Sequence, residues 1–118
     1  MKNKYYIDGN LVRTSARVYT HAVLRNGEVI ACSGNLQLAQ KEMWYWLKRC
    51  DTAIDRSRKA VSAIDAGKSY FTIEDRRGRY RVEADPAKRA QYLDDIERLE
   101  KEKTVYSIRE LEIESNPT

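Results

Sequence analysis

The side chains best suited to bind an anion lie on a short segment near the N-terminus. Arg17, Tyr19 and His21 occupy alternate positions of a stretch that we predict to be a strand, so they share one face of it. A tyrosine ring can stack on a nucleotide base while a guanidinium binds phosphate through two parallel hydrogen bonds. We therefore predict a ligand site here, and the alternative is an ordinary solvated sheet face.

Arg109 and Phe71 complete the predicted ligand site. The apolar pattern of the last strand changes phase beside Arg109. A bulge there would explain the change, as would burial of both faces at one end of the strand, and bulges often re-aim a side chain into a site. Phe71 is the second candidate for stacking on a base. A separate cluster near the third predicted hairpin is the next candidate for phosphate contacts, unless it is a plain charged hairpin tip. It consists of Arg76, Arg77, Arg79 and Arg81.

The sequence does not indicate an enzyme. His21 is the only histidine, and Cys32 and Cys50 are the only cysteines. A His21–Cys32 pair would resemble a nucleophile with its base, but no third group that would orient the histidine is identifiable. Three scattered ligands do not make a closed zinc site, and the glycines suit turns and a helix end. We predict no catalytic residue, no metal, no cofactor and no disulfide.

The hydrophobic pattern predicts an α+β fold with the order ββββ-α-ββ-α-β, in which an antiparallel sheet packs with one long and one shorter helix. Asp8-Gly9 and Asn26-Gly27 suit type I′ turns and predict two hairpins within residues 1–33. Opposite charges and paired apolar residues across the strands predict the register of the second hairpin. The expected pairs are Arg25–Glu28, Leu24–Val29, Val23–Ile30 and His21–Cys32.

The rest of the chain extends the same single domain, residues 1–118. Asn35 is an expected helix N-cap and Gly67 an expected helix stop. Asp85 followed by proline is typical of the start of a second helix, whose predicted apolar stripe is Ala90, Leu93, Ile96 and Leu99. The predicted segments are a long helix over 35–67, a hairpin over 70–83, a helix over 85–103 and a strand over 104–114.

Length and charge indicate what the chain associates with. At about 1.5 Å per residue the long helix would measure about 48 Å, against a radius of gyration of about 13 Å for a domain of this size. Trp44 and Tyr45 lie off its core stripe, so we predict a homo-oligomer with the long helix in the interface. Residues 1–82 carry a charge of +8 and residues 83–118 a charge of −4. The basic part would attract a nucleotide, a nucleic acid or an acidic protein face, or the acidic tail of a neighbouring subunit, and charge does not separate these alternatives. No apolar run reaches the ~18 residues of a membrane span.

Residues 17–23 (RVYTHAV) and 27–33 (GEVIACS) resemble segments of small proteins encoded by phages and mobile elements. The order of elements resembles phage counter-defence proteins, and in particular the Thoeris anti-defence family. This resemblance implies a non-enzymatic oligomer in the host cell cytoplasm that sequesters a small cyclic nucleotide signal of the cyclic ADP-ribose type. It assigns no individual binding residues. Two alternatives stay open: a protein inhibitor of a defence nuclease, as anti-CRISPR proteins are, and a small accessory protein that binds nucleic acid.

Overall fold

Four strands, a long helix, a hairpin, a second helix and two further strands follow one another along the chain, which confirms the α+β prediction. The structure is a computed structural model and describes residues 2–115. The strands are β1 (Asn3–Ile7), β2 (Asn10–Ser15), β3 (His21–Arg25), β4 (Glu28–Ser33), β5 (Tyr70–Asp75), β6 (Gly78–Glu83), β7 (Tyr106–Glu110) and β8 (Glu112–Ser115). The helices are α1 (Leu36–Asp65) and α2 (Arg89–Glu102). None of the described helices is long and apolar enough to cross a membrane.

The contacts of the chain divide it into two compact units. The first unit comprises Met1–Leu47 and Thr104–Thr118, and the second comprises Lys48–Lys103. The first therefore contains β1 to β4, β7, β8 and the beginning of α1. The second contains the rest of α1, the β5–β6 hairpin and α2.

The end of the chain links the two sheets of the first unit. One sheet has the strand order β2-β1-β8 and the other β4-β3-β7. The single strand predicted over 104–114 is therefore two strands that belong to different sheets. They meet at Leu111, which is buried and donates its N–H to the carbonyl of Thr20 at 2.9 Å. The change of phase noted in the sequence is real, but its cause is this change of sheet and not the predicted bulge.

Strand β3 is buried on both of its faces. On one face Ala22 and Leu24 share a core with Tyr5 and Ile7 of β1. Val23 is also fully buried although it points the other way. On that second face the Arg25 guanidinium lies 5.8 Å from the Trp46 ring centroid, which places the beginning of α1 there.

The second hairpin contains a bulge, so its register differs in part from the predicted one. Arg25 is opposite Glu28 and Leu24 is opposite Val29, as predicted. Beyond them the register shifts by one residue, so that Val23 is opposite Ala31 and His21 is opposite Ser33. The predicted pairs Val23–Ile30 and His21–Cys32 are wrong, because Ile30 is an extra residue on β4.

The Tyr5 hydroxyl organises the segment that precedes β3. It donates to the carbonyl oxygen of Arg17 and accepts the N–H of Tyr19 at 3.0 Å. The Tyr5 ring is fully buried, and the Tyr19 ring packs edge-on against it at a centroid distance of 5.6 Å. These backbone groups therefore form hydrogen bonds with a side chain, whereas in a strand they would bond to a neighbouring strand. The strand expected to begin at Arg17 begins only at His21.

Apolar packing and surface ion pairs hold the second unit together. Phe71 and Ile73 of β5 form a core with Ala60 and Ala63 of α1, and Tyr92 of α2 packs against it. Charged pairs then connect the two helices, each contributing about 0–1 kcal/mol at exposed positions. These pairs are Asp51–Lys103 at 2.6 Å, Arg58–Glu100 at 2.8 Å and Asp65–Arg89 at 2.7 Å.

Hydrogen bonds at Asn35 and Gly67 cap the two ends of α1, as the sequence predicts. The Asn35 carboxamide accepts the N–H of Leu38 at 2.8 Å. At the other end Gly67 adopts a φ of +71°, and Lys68 donates its N–H to the carbonyl of Ala63 at 2.9 Å. This is the left-handed C-terminal cap that glycine favours.

The second helix begins and packs differently from the prediction. Asp85 caps a 3₁₀ turn, Pro86–Lys88, and regular α-helix follows only from Arg89. Leu93, predicted to lie on the apolar stripe, is 42% exposed, whereas its neighbour Tyr92 packs on the core. Ala90 is exposed as well, whereas Ile96 and Leu99 of the predicted stripe are half-buried, so the prediction fails at the beginning of α2 and holds further along it.

Replacing Tyr5 with Phe tests the role of its hydroxyl. We expect the free energy of unfolding to fall by about 1–3 kcal/mol, because two backbone groups lose a buried partner. Urea denaturation followed by circular dichroism measures the change. Tyr6→Phe is the matched control: the Tyr6 hydroxyl donates to the Glu114 carboxylate on the exposed surface, so its loss should change stability by no more than about 0.5 kcal/mol. Equal losses in the two variants would contradict this role.

Candidate anion-binding site

The three residues predicted to share a strand face near the N-terminus do not do so. Arg17 is exposed and lies in the irregular segment before β3. Tyr19 is half-buried, and the guanidinium of Arg13, not that of Arg17, lies 5.7 Å from its ring centroid. His21 is the first residue of β3, with Nδ1 2.7 Å from the Thr20 hydroxyl. The structure therefore brings Tyr19 together with a cation from β2 and not with Arg17.

Arg109 and Phe71 also have structural partners. Arg109 forms an ion pair with Asp8 at 2.7 Å, and about half of its side chain is exposed. This pair joins β7 to the β1–β2 turn within the first unit. Phe71 is only 7% exposed, because it belongs to the core of the second unit. Its ring is therefore not on the outer face of the hairpin, where a base would stack.

His21 and Cys32 lie on opposite faces of their sheet. Cys32 is opposite Ala22, and it packs against the core that contains Tyr5. Because successive residues of a strand point to opposite faces, His21 points away from this thiol. Burial raises the pKa of Cys32, and Arg13 opposes this rise only in part. Within residues 2–115, no cluster of three or more His, Cys, Asp or Glu side chains is placed to hold a metal ion.

The outer face of the β5–β6 hairpin brings arginines and a tyrosine together. We call this surface the arginine face and define it by Tyr70, Thr72, Arg79 and Arg81. The guanidinium of Arg81 lies over the Tyr70 ring, 4.3 Å from its centroid. This distance is well inside the range of about 6 Å over which a cation is attracted to a ring face. With Tyr80, the side chains of the arginine face line a shallow depression of about 400 Å³.

The pairing of β5 with β6 places these residues. Thr72 is opposite Arg81, so Tyr70 is a diagonal neighbour of Arg81 on the same face. Arg79 precedes Arg81 by two residues and therefore lies on the same face, about 7 Å away along the strand. Among the described residues neither Arg79 nor Arg81 is in an ion pair, although Glu74 is opposite Arg79 on the same face.

The hairpin tip next to this face is ordered by Asp75. Its carboxylate accepts the N–H of Arg77 at 2.8 Å and the hydroxyl of Tyr80 at 2.9 Å. The Arg77 guanidinium in turn lies 5.8 Å from the Tyr80 ring centroid. The tip is therefore a folded turn that holds Tyr80 beside the depression.

Sequence reasoning had named the arginines of this face but not Tyr70. The signal was present: Phe71 and Ile73 are the apolar residues of β5, so Tyr70 and Thr72 must point to the opposite side. What the pattern could not give is the register between the strands, which decides that Arg81 reaches Tyr70.

Comparison with known proteins identifies no relative that would assign this surface a role. The chain matches no protein-family model, and no curated protein or solved structure is significantly similar to it.

The Asp75 carboxyl should titrate below the ordinary range of an aspartate. The N–H of Arg77 and then the Tyr80 hydroxyl lower its pKa by hydrogen bonding to the charged form. Because the folded pKa is below the unfolded value of about 3.9, this carboxylate stabilises the fold above that pH. The stabilisation is lost as pH falls through the folded pKa.

Carboxyl-carbon NMR across an acid titration measures this pKa directly. In Tyr80→Phe we expect the Asp75 midpoint to move up towards the ordinary value, because one of its donors is gone. Tyr70→Phe is the control, since Tyr70 lies on the same hairpin but does not bond to Asp75. A midpoint that is the same in wild type and Tyr80→Phe would show that the hydroxyl does not stabilise the carboxylate.

Proposed function

We propose that this protein binds a nucleotide-type anion on the arginine face and holds it without converting it. The observation that carries the proposal is the Arg81 guanidinium over the Tyr70 ring, 4.3 Å from its centroid, with Arg79 on the same open face. Stacked aromatic and guanidinium planes are the usual platform for a base, and a second arginine is the usual ligand of a phosphate.

Each side chain has a distinct part in this binding mode. Tyr70 supports one side of the Arg81 guanidinium, so a base can stack on the other side of the same plane. Arg79 lies far enough along β6 to reach a phosphate attached to that base. The neighbouring backbone is held in the β5–β6 ladder, so little conformational freedom is lost when the ligand binds.

Sequestration of a small cyclic nucleotide is the form of binding that we favour. The depression of about 400 Å³ is within the usual size range of small-molecule sites. The resemblance to Thoeris anti-defence proteins supports a ligand of the cyclic ADP-ribose type. In this proposal the protein acts by lowering the concentration of free signal, and it requires no catalytic group.

The openness of this surface supports a second candidate, a single strand of nucleic acid. The arginine face is the exposed side of a two-stranded sheet, and its cations continue into Arg76 and Arg77 at the exposed turn. A row of cations with an aromatic ring is typical of proteins that bind single strands. The two candidates differ in salt dependence, because a strand with several neutralised phosphates loses affinity steeply as salt rises.

Arginine substitutions test the proposed site. We expect Arg79→Ala and Arg81→Ala each to weaken binding of cyclic ADP-ribose at least tenfold, or about 1.4 kcal/mol, since each loses a charge-assisted contact. Isothermal titration calorimetry measures the affinity. Arg98→Ala is the matched control in the same unit, because Arg98 lies on α2 and pairs with Asp95.

Two results would overturn the proposal. Full affinity in both hairpin variants, together with loss in Arg17→Ala or Arg109→Ala, would move the site to the first unit. Failure of the wild-type protein to bind any mono-, di- or cyclic nucleotide would reject nucleotide sequestration. Affinity for an oligonucleotide alone, with a steep salt dependence, would leave the second candidate in its place.

A further inference from the structure

The strand β5 has an open edge. Among the described residues it pairs only with β6. The N–H of Ala84 donates to the carbonyl of Ser69 at 2.9 Å, and the same register continues along the hairpin through Phe71–Val82. Since backbone groups alternate in direction along an antiparallel strand, those of Tyr70 and Thr72 point away from β6. They form a short row of donors and acceptors that a further strand could use.

A groove of about 530 Å³ runs beside this edge. Its walls are Lys68 to Thr72 on the strand side and, on the helix side, Ser62 and Ala63 of α1 with Ala66 just after it. Lys59 of α1 also lines the groove, and its ammonium group pairs with Asp55. Phe71 also lines the groove although it is largely buried. Small residues at this place leave room for an added strand next to β5, with Phe71 as an apolar contact beneath it.

We propose that β5 of a second copy of this chain occupies this edge, antiparallel, with the two-fold axis at Phe71. In that register Tyr70 is opposite Thr72 of the partner subunit, and both have backbone groups directed at the edge. Lys68 precedes β5 by two residues and bonds through its N–H to the end of α1, so only its side chain would reach Glu74 at the end of the partner subunit's strand, and symmetry repeats this pair. Opposite charges across strands stabilise such a pairing, and the complementarity is what selects a second copy as occupant.

The resulting interface would contain about four backbone hydrogen bonds between the two copies. Phe71 would meet its own counterpart as a pair without hydrogen bonds, the arrangement in which opposing side chains are closest. The edge of β6 is less suitable for self-association, because it carries Arg79 and Arg81 and would bring like charges together. The open edge of β5 is thus the one whose charges match a second copy.

Dimerisation through β5 would give a continuous four-stranded sheet. Because the two-fold axis is perpendicular to that sheet, the arginine faces of both copies lie on the same side of it. Thr72 of the partner subunit would then adjoin Tyr70 in each site. The pairing itself does not depend on the proposed nucleotide binding, so either can fail without the other.

The experiment compares the mass of the protein in solution with that of three variants. Light scattering and sedimentation equilibrium at micromolar concentration should give twice the 13.8 kDa chain mass for the wild type. Thr72→Pro should give monomers, because its N–H points to the open edge and proline there leaves the β5–β6 ladder intact. Lys68→Glu should weaken the dimer about tenfold, because a glutamate at position 68 would repel Glu74 of the partner subunit, and the two-fold axis repeats this repulsion. Adding Glu74→Lys to that variant should restore the dimer.

Two outcomes would reject the proposed pairing. One is a wild-type protein that has the mass of a single 13.8 kDa chain over the whole concentration range. This mass would reject the dimer even if a different partner, such as an acidic peptide, bound in the groove. The other is a dimer that persists unchanged in Thr72→Pro and Lys68→Glu, which would indicate another interface such as α1. Circular dichroism checks that each variant is folded. If Thr72→Pro does not fold, loss in Lys68→Glu and recovery in the double variant still decide the question.

Discussion

The pairing register of β5 with β6 determines what the second unit presents to its surroundings. Phe71 is opposite Val82 and Ile73 is opposite Tyr80, so the apolar side chains of the hairpin fall on one face and contribute to the core. The same register forces Arg81 and its neighbours onto the other face. A slip of one residue would place Phe71 on the same face as an arginine of β6, so that either the arginines would be buried or Phe71 would be exposed, at a cost that no surface interaction offsets. The core of the hairpin therefore fixes both the arginine face and the backbone groups along the open edge.

In the first unit the hydroxyl group of Tyr5 has a comparable influence on the path of the backbone. The buried Tyr5 hydroxyl bonds to the backbone on both sides of Val18, and residues 16–19 are not part of a strand. Leu111 then pairs with the end of this segment and divides the last strand between two sheets. These contacts explain why Arg17 and Tyr19 do not form the strand face expected of them. Two other arginines of this unit have partners within it: Arg109 forms an ion pair with Asp8, and Arg13 lies over the Tyr19 ring.

Features set by neighbours in sequence were predictable, whereas features set by distant pairing were not. The turn at Asn26-Gly27 and the cap at Gly67 follow from backbone preferences of those residues, and both occur as predicted. The bulge at Ile30 and the division at Leu111 depend on strands far away in the chain, which no local pattern specifies. The candidate site divides in the same way: the shared side of Arg79 and Arg81 follows from alternation, but the contact of Arg81 with Tyr70 needs the register between two strands.

The most direct test of the arginine face is NMR of arginine side chains during titration with cyclic ADP-ribose. Each guanidinium Nε–Hε group gives its own signal, so the method reports which arginines meet the ligand without any substitution. Binding at the arginine face predicts saturable shifts of Arg79 and Arg81, with matching shifts of the Tyr70 and Thr72 amides, while Arg98 stays unchanged. Shifts confined to Arg13, Arg17 or Arg109, or no shifts at all, would contradict it.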